Sequence, residues 1–113
     1  IAGINPNIRI MPVKVMGSTS SDSAIPSSES FARGIQYAAD NGADVINMSL
    51  GWPKSLETEN LRRAVFSALQ KGVIIVAAAG NNNSPEPLFP CAYEGVICVA
   101  ASTLDGSYAG FSN

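Results

Sequence analysis

There is no histidine among the 113 residues of this chain. That absence removes the commonest general base and the commonest metal ligand together, so this segment cannot run Ser-His-Asp chemistry alone. Charge is sparse as well: 14% of residues are charged and the formal net charge is -2. No basic stripe exists to neutralise nucleic-acid phosphates or to hold an anionic membrane surface, so neither is an expected partner. No apolar run reaches the ~20 residues of a membrane-spanning helix, and the opening Ile1, Ala2, Gly3 and Ile4 lack both the basic flank and the apolar length of a signal peptide. Cysteine is nearly absent. Cys91 and Cys98 have six residues between them, not a CxxC spacing, and no further ligand accompanies them to make a zinc site. A disulfide and a buried thiol are both open.

What is present is apolar residues, 46% of the chain, enough to bury a core. Residues 8–16 alternate in polarity around Pro12 and read as a strand with an interruption, because proline cannot donate to a ladder. A loop rich in Gly, Ser and Thr follows. Pro26 then opens a helix with Ser27 or Ser28 as N-cap and Glu29 in its first turn. Phe31, Ile35, Ala38 and Ala39 fall on one face of it, and Asn41 with Gly42 stops it. Residues 44–49 form a short strand broken by Leu50, Gly51, Trp52 and Pro53. A second helix carries Leu61, Ala64, Val65, Ala68 and Leu69 on one side and Arg62, Arg63 and Gln70 on the other. Residues 73–78 are a continuous apolar strand, and residues 96–101 are the last one. The order implies βαβ units and an α/β layered fold with a parallel sheet, without internal repeat or domain boundary.

In such sheets ligands bind beyond the carboxyl ends of strands. Two strand exits qualify: Ser49, Leu50 and Gly51 after the 44–49 strand, and Ala79, Gly80 and Asn81 after the 73–78 strand. Glycine at each permits close backbone approach, and Asn81 adds a side-chain amide donor of the kind that can stabilise an oxyanion. By itself Asn81 reads equally well as a loop residue, since Asn82 and Asn83 follow it.

Asp44-Val45-Ile46-Asn47-Met48-Ser49-Leu50-Gly51 and, about thirty residues on, Val76-Ala77-Ala78-Ala79-Gly80-Asn81 resemble the central part of the subtilase family, the subtilisin and proteinase K type of serine protease. Gly3 to Asn7 with Val13, Lys14 and Val15 resembles the region just after that family's catalytic histidine, and Phe111, Ser112 and Asn113 resemble the segment before its nucleophile. The resemblance implies a three-layer parallel-sheet subtilase fold, incomplete here, with residues 1–113 as the central part of one peptidase domain. It assigns Asn81 to the oxyanion hole, where one such donor is worth roughly 3 to 4 kcal/mol in subtilisin, not measured for this chain. It assigns Ser49, Leu50 and Gly51 to the strand that pairs with the substrate backbone, and Ala78, Ala79 and Gly80 to one wall of the specificity pocket. Leu88 and Cys91 match positions at the base of that pocket, where leucine would favour small aliphatic side chains. The Phe89–Pro90 bond matches an aromatic-proline bond that is cis in relatives.

The family's aspartate and histidine precede the matched region and its serine follows it, so the resemblance implies a serine endopeptidase segment that is inactive alone. Its partners would be a protein or peptide substrate and the remainder of the same peptidase domain, and secretion would be expected. Structural calcium is implied for the full-length protein, but no cofactor or metal ligand is identifiable here. The family topology also places an earlier strand between those at residues 8–16 and 44–49, leaving the first without a partner within these residues. Ser49 has no base near it in sequence to make it a nucleophile, and Trp52 reads as a packing residue. Two other functions compete. A nucleotide-binding module would need GxGxxG or GxxxxGK[ST], and neither occurs. A peptide-binding scaffold without catalysis shares every feature above, and the flanking motifs distinguish it.

Overall fold

The computed structural model describes residues 3–16, 27–86 and 88–113. Helix α1 (Ser28–Asp40) begins where the Ser27 hydroxyl accepts the Ser30 N–H at 3.1 Å, satisfying one of the amides that a helix start leaves without a partner. Pro26 lies outside the described residues. Phe31, Ala32, Ile35 and Ala38 are its buried stripe, and Gly42 (φ +81°) takes the left-handed turn that ends it. Strand β1 (Val45–Met48) is followed by a 3-10 turn (Lys54–Leu56) and helix α2 (Glu59–Gln70). The hydroxyl of Thr58 caps α2 by accepting the Leu61 N–H at 3.3 Å, and Leu61, Ala64, Val65 and Ala68 face inward. Strands β2 (Ile74–Ala78) and β3 (Ile97–Val99) complete a parallel sheet in the order β1-β2-β3.

The register sorts the side chains into two faces. Ile46, Met48, Ile75 and Ala77 belong to the core shared with α1 and α2, together with Trp52 and Tyr93. Val45, Ile74, Ile97 and Val99 stand on the opposite face and are about half exposed, at 54%, 49%, 53% and 52%. Helices thus cover one face, and the apolar character of the strands exceeds what that single layer buries. The parallel α/β architecture expected from the sequence is present, as a three-stranded parallel sheet with helices against one face.

Two expectations need correction. Residues 8–16 form no strand: the described part of this segment enters no ladder, and Val13 and Val15 instead reach α1 at Gly34, where a Cβ would collide with Val15 Cγ1. Alternating polarity makes a segment fit for a strand, but only a neighbouring backbone makes it one. The strands read at residues 44–49, 73–78 and 96–101 are also each shorter than expected: β1 lacks the polar Asp44 and Ser49, β2 starts at Ile74, and β3 covers only Ile97–Val99.

Candidate active site

Met48 pairs with Ala77, so β1 and β2 leave the sheet side by side at the same edge. From β1 run Ser49, Leu50 and Gly51, and from β2 run Ala79, Gly80 and Asn81, with Ala78 as the last residue of that strand. The β1 exit is held at both ends. Asn47 donates from Nδ2 to Ser49 Oγ at 3.1 Å, while the Trp52 N–H donates to Phe89 O at 2.7 Å and the Phe89 N–H returns to Trp52 O at 2.9 Å. Trp52 itself is buried and stacks on Phe31 with ring centroids 5.4 Å apart, so it packs the core beneath the site as expected.

The β2 exit is fixed differently. Ala79 extends the ladder by donating to Val99 O at 2.9 Å. Gly80 has φ of +121°, a value that favours glycine, and its carbonyl accepts the Asn113 N–H at 3.1 Å. The Asn113 Oδ1 accepts the N–H of Asn82 at 2.7 Å and of Ser84 at 3.4 Å, and its Nδ2 donates to Glu86 O at 3.2 Å. Phe111 O accepts the Asn83 N–H at 2.9 Å. Asn81 lies amid these contacts, exposed, and its side chain makes no hydrogen bond among the described residues.

Leu88 closes the space between the two exits. A Cβ at Gly51 would lie 3.2 Å from Leu88 Cβ, and one at Gly80 would lie 2.7 Å from Leu88 Cδ1. Behind it the Phe89–Pro90 bond is cis, as the resemblance implied, and Cys91 and Cys98 form a disulfide, which settles the alternatives left by their spacing. Tyr93 is buried against Phe66 and Phe89 and donates to Glu57 Oε1 at 2.9 Å; burial first, and then that bond, push its phenol well above its ordinary range.

Every residue singled out at the strand exits therefore lies on one of two adjoining loops. Sequence reasoning missed Asn113 as a support of the Asn81 loop and the Trp52–Phe89 bridge as a tie between loops. Both are contacts between backbone and residues distant in sequence, and the only trace of Asn113 was its place in the Phe111, Ser112, Asn113 motif. The groove between residues 13–16 and α1, about 650 Å3, includes none of the strand-exit residues. Among the described residues no group of three His, Cys, Asp or Glu side chains could hold a metal ion. No described helix is long and apolar enough to cross a membrane.

A family model described as the subtilase family matches residues 1–113. The chain is 43% identical over 113 residues to a thermophilic serine proteinase of Bacillus sp. (strain AK1), covering 100% of the chain and 27% of that protein. It is 36% identical over 112 residues to subtilisin Savinase of Lederbergia lenta, covering 99% of the chain and 39% of the relative. Among solved structures, the self-cleaved protease domain of PatA superposes with a TM-score of 0.75 at 35% identity, over 84% of this chain and 37% of that one. The nisin leader peptidase NisP of Lactococcus lactis gives 0.66 at 30% identity, over 78% of this chain and 34% of that one. The chain thus spans well under half the length of the proteins it matches.

Proposed function

Because the chain belongs to the subtilase family, whose model it matches throughout residues 1–113, we propose that it supplies the oxyanion donor and two walls of the substrate cleft of a serine endopeptidase. The observation that carries this reading is the state of Asn81: its flanking backbone is pinned at Gly80 and Asn82, while its own amide has no hydrogen-bond partner among the described residues. A donor that is fixed in place and unbonded is poised for charge that develops on a substrate.

In this mechanism the substrate backbone adds as an extended segment along Ser49, Leu50 and Gly51, and Ala78, Ala79 and Gly80 form the facing wall. A nucleophile hydroxyl attacks the scissile carbonyl, whose oxygen gains negative charge and accepts from Asn81 Nδ2. As these residues include no histidine, the base and nucleophile come from the remainder of the peptidase domain. In the complete enzyme, Asn81→Ala lowers kcat about a hundredfold or more with little change in KM, since the amide acts mainly on the transition state. A loss confined to KM would make Asn81 a substrate-binding residue and overturn the assignment. A complete protein without peptidase activity would favour the peptide-binding scaffold.

Leu88 supplies the specificity. Its side chain occupies the space between Gly51 and Gly80, so the pocket accepts small aliphatic residues in preference to Phe or Tyr. A cleavage profile on a peptide library checks this, and one dominated by Phe and Tyr refutes it. Leu88→Gly shifts the profile towards aromatic residues. We further place the protein outside the cytoplasm, a reading supported by the Cys91–Cys98 disulfide, which persists in oxidising compartments.

A further inference from the structure

Asn113 is separated from Asn81 in sequence by the whole of β3 and the turns on either side of it, yet it contacts the backbone on both sides of Asn81. Its main-chain N–H binds Gly80 O, its Oδ1 accepts from Asn82 and Ser84, and its Nδ2 reaches Glu86 O. Asn113 is itself held. The buried Ser112 hydroxyl accepts the Ala101 N–H at 2.9 Å and donates to Asn113 O at 2.9 Å, and the Ala109 N–H donates to Ala101 O at 3.0 Å. A chain of hydrogen bonds therefore runs from the residues just beyond β3, through Ser112 and Asn113, to the loop of residues 80–86. One side chain satisfies two N–H groups and one carbonyl of that loop, which a residue lacking a carboxamide cannot do.

We propose that Asn113 is a positioning residue for the oxyanion donor: it fixes the backbone around Asn81 so that the Asn81 amide remains free to turn to the substrate. This rests on the role proposed for Asn81. A donor displaced by a fraction of an ångström loses transition-state stabilisation without weakening ground-state binding.

The test is a double-mutant cycle in the complete enzyme, with kcat expressed per active site after titration with a serine-directed phosphonate. Asn113→Ala lowers kcat roughly tenfold at unchanged KM, and in an Asn81→Ala background the same change costs less than about twofold, because nothing is left to position. Losses that multiply in the double variant, a loss confined to KM, or an unchanged kcat per active site would each overturn the proposal. If Asn113→Ala does not fold, Asn113→Asp takes its place under the same criteria, keeping the shape and the two acceptor contacts while losing the bond to Glu86 O. An Asn81→Ala variant with unaltered kcat removes the role of Asn81 itself, and this inference with it. An Asn81 effect with independent Asn113 losses removes only this inference.

Discussion

At Gly80 a Cβ would lie 2.7 Å from Leu88 Cδ1 and 2.8 Å from Asn113 Nδ2, on a backbone with φ of +121°. Gly80→Ala therefore strains the backbone and pushes against Leu88 and Asn113. It is expected to cost about 1–3 kcal/mol of stability, read from urea unfolding of the peptidase domain, and to reduce kcat together with it. Tyr93 offers a test against pH. Its folded phenol titrates above the ordinary value of 10.0 because burial and the bond to Glu57 favour the protonated form. An unfolded chain releases that proton first, so the contribution is fully present below that ordinary value and is lost as pH rises through the folded one. Tyr93→Phe is expected to lower stability by about 1–2 kcal/mol near neutrality and to flatten the alkaline fall in stability, measured by unfolding at about pH 7 and about pH 10.5. Equal alkaline slopes in both proteins would refute this. At this scale Asn81 was legible because a short motif carries it. Asn113 was not, because its importance lies in three side-chain contacts to a loop far away in sequence.

The helices were legible because their caps and apolar stripes are local. Ser27 and Thr58 each bond an amide three residues ahead, and the inward positions recur at helical spacing. Thr58→Ala is expected to cost about 1 kcal/mol by leaving the Leu61 N–H without its partner, measured as a shift in the urea midpoint at constant slope. Strands were less legible, since a ladder is a relation between two segments. The alternation at residues 8–16 has the character of a strand, yet it contacts α1 through Val13 and Val15 and enters no ladder among the described strands. Pairing of β3 covers only Ile97–Val99, and a nearby ladder bond comes from Ala79, beyond the end of β2.

Across the described residues, Val45, Ile74, Ile97 and Val99 leave one sheet face about half exposed, and β1 stands at an edge of the sheet. Prepared alone, residues 1–113 are expected to bind a hydrophobic dye and to associate as concentration rises, as open apolar edges and faces do. Elution volume and dye fluorescence against concentration check this; a monomer without dye binding would refute it. The same preparation is expected to leave a peptide anilide uncut, since it contains no histidine. Among the described strands only β2 has a neighbour on each side. That central place orders the molecule in time: amide protons of Ile74–Ala78 exchange with deuterated solvent after those of β1 and β3. The proposed oxyanion segment, Ala79 to Asn81, continues directly from β2, so openings that release the outer strands leave it standing, and peptides spanning residues 74–79 are the last to gain mass.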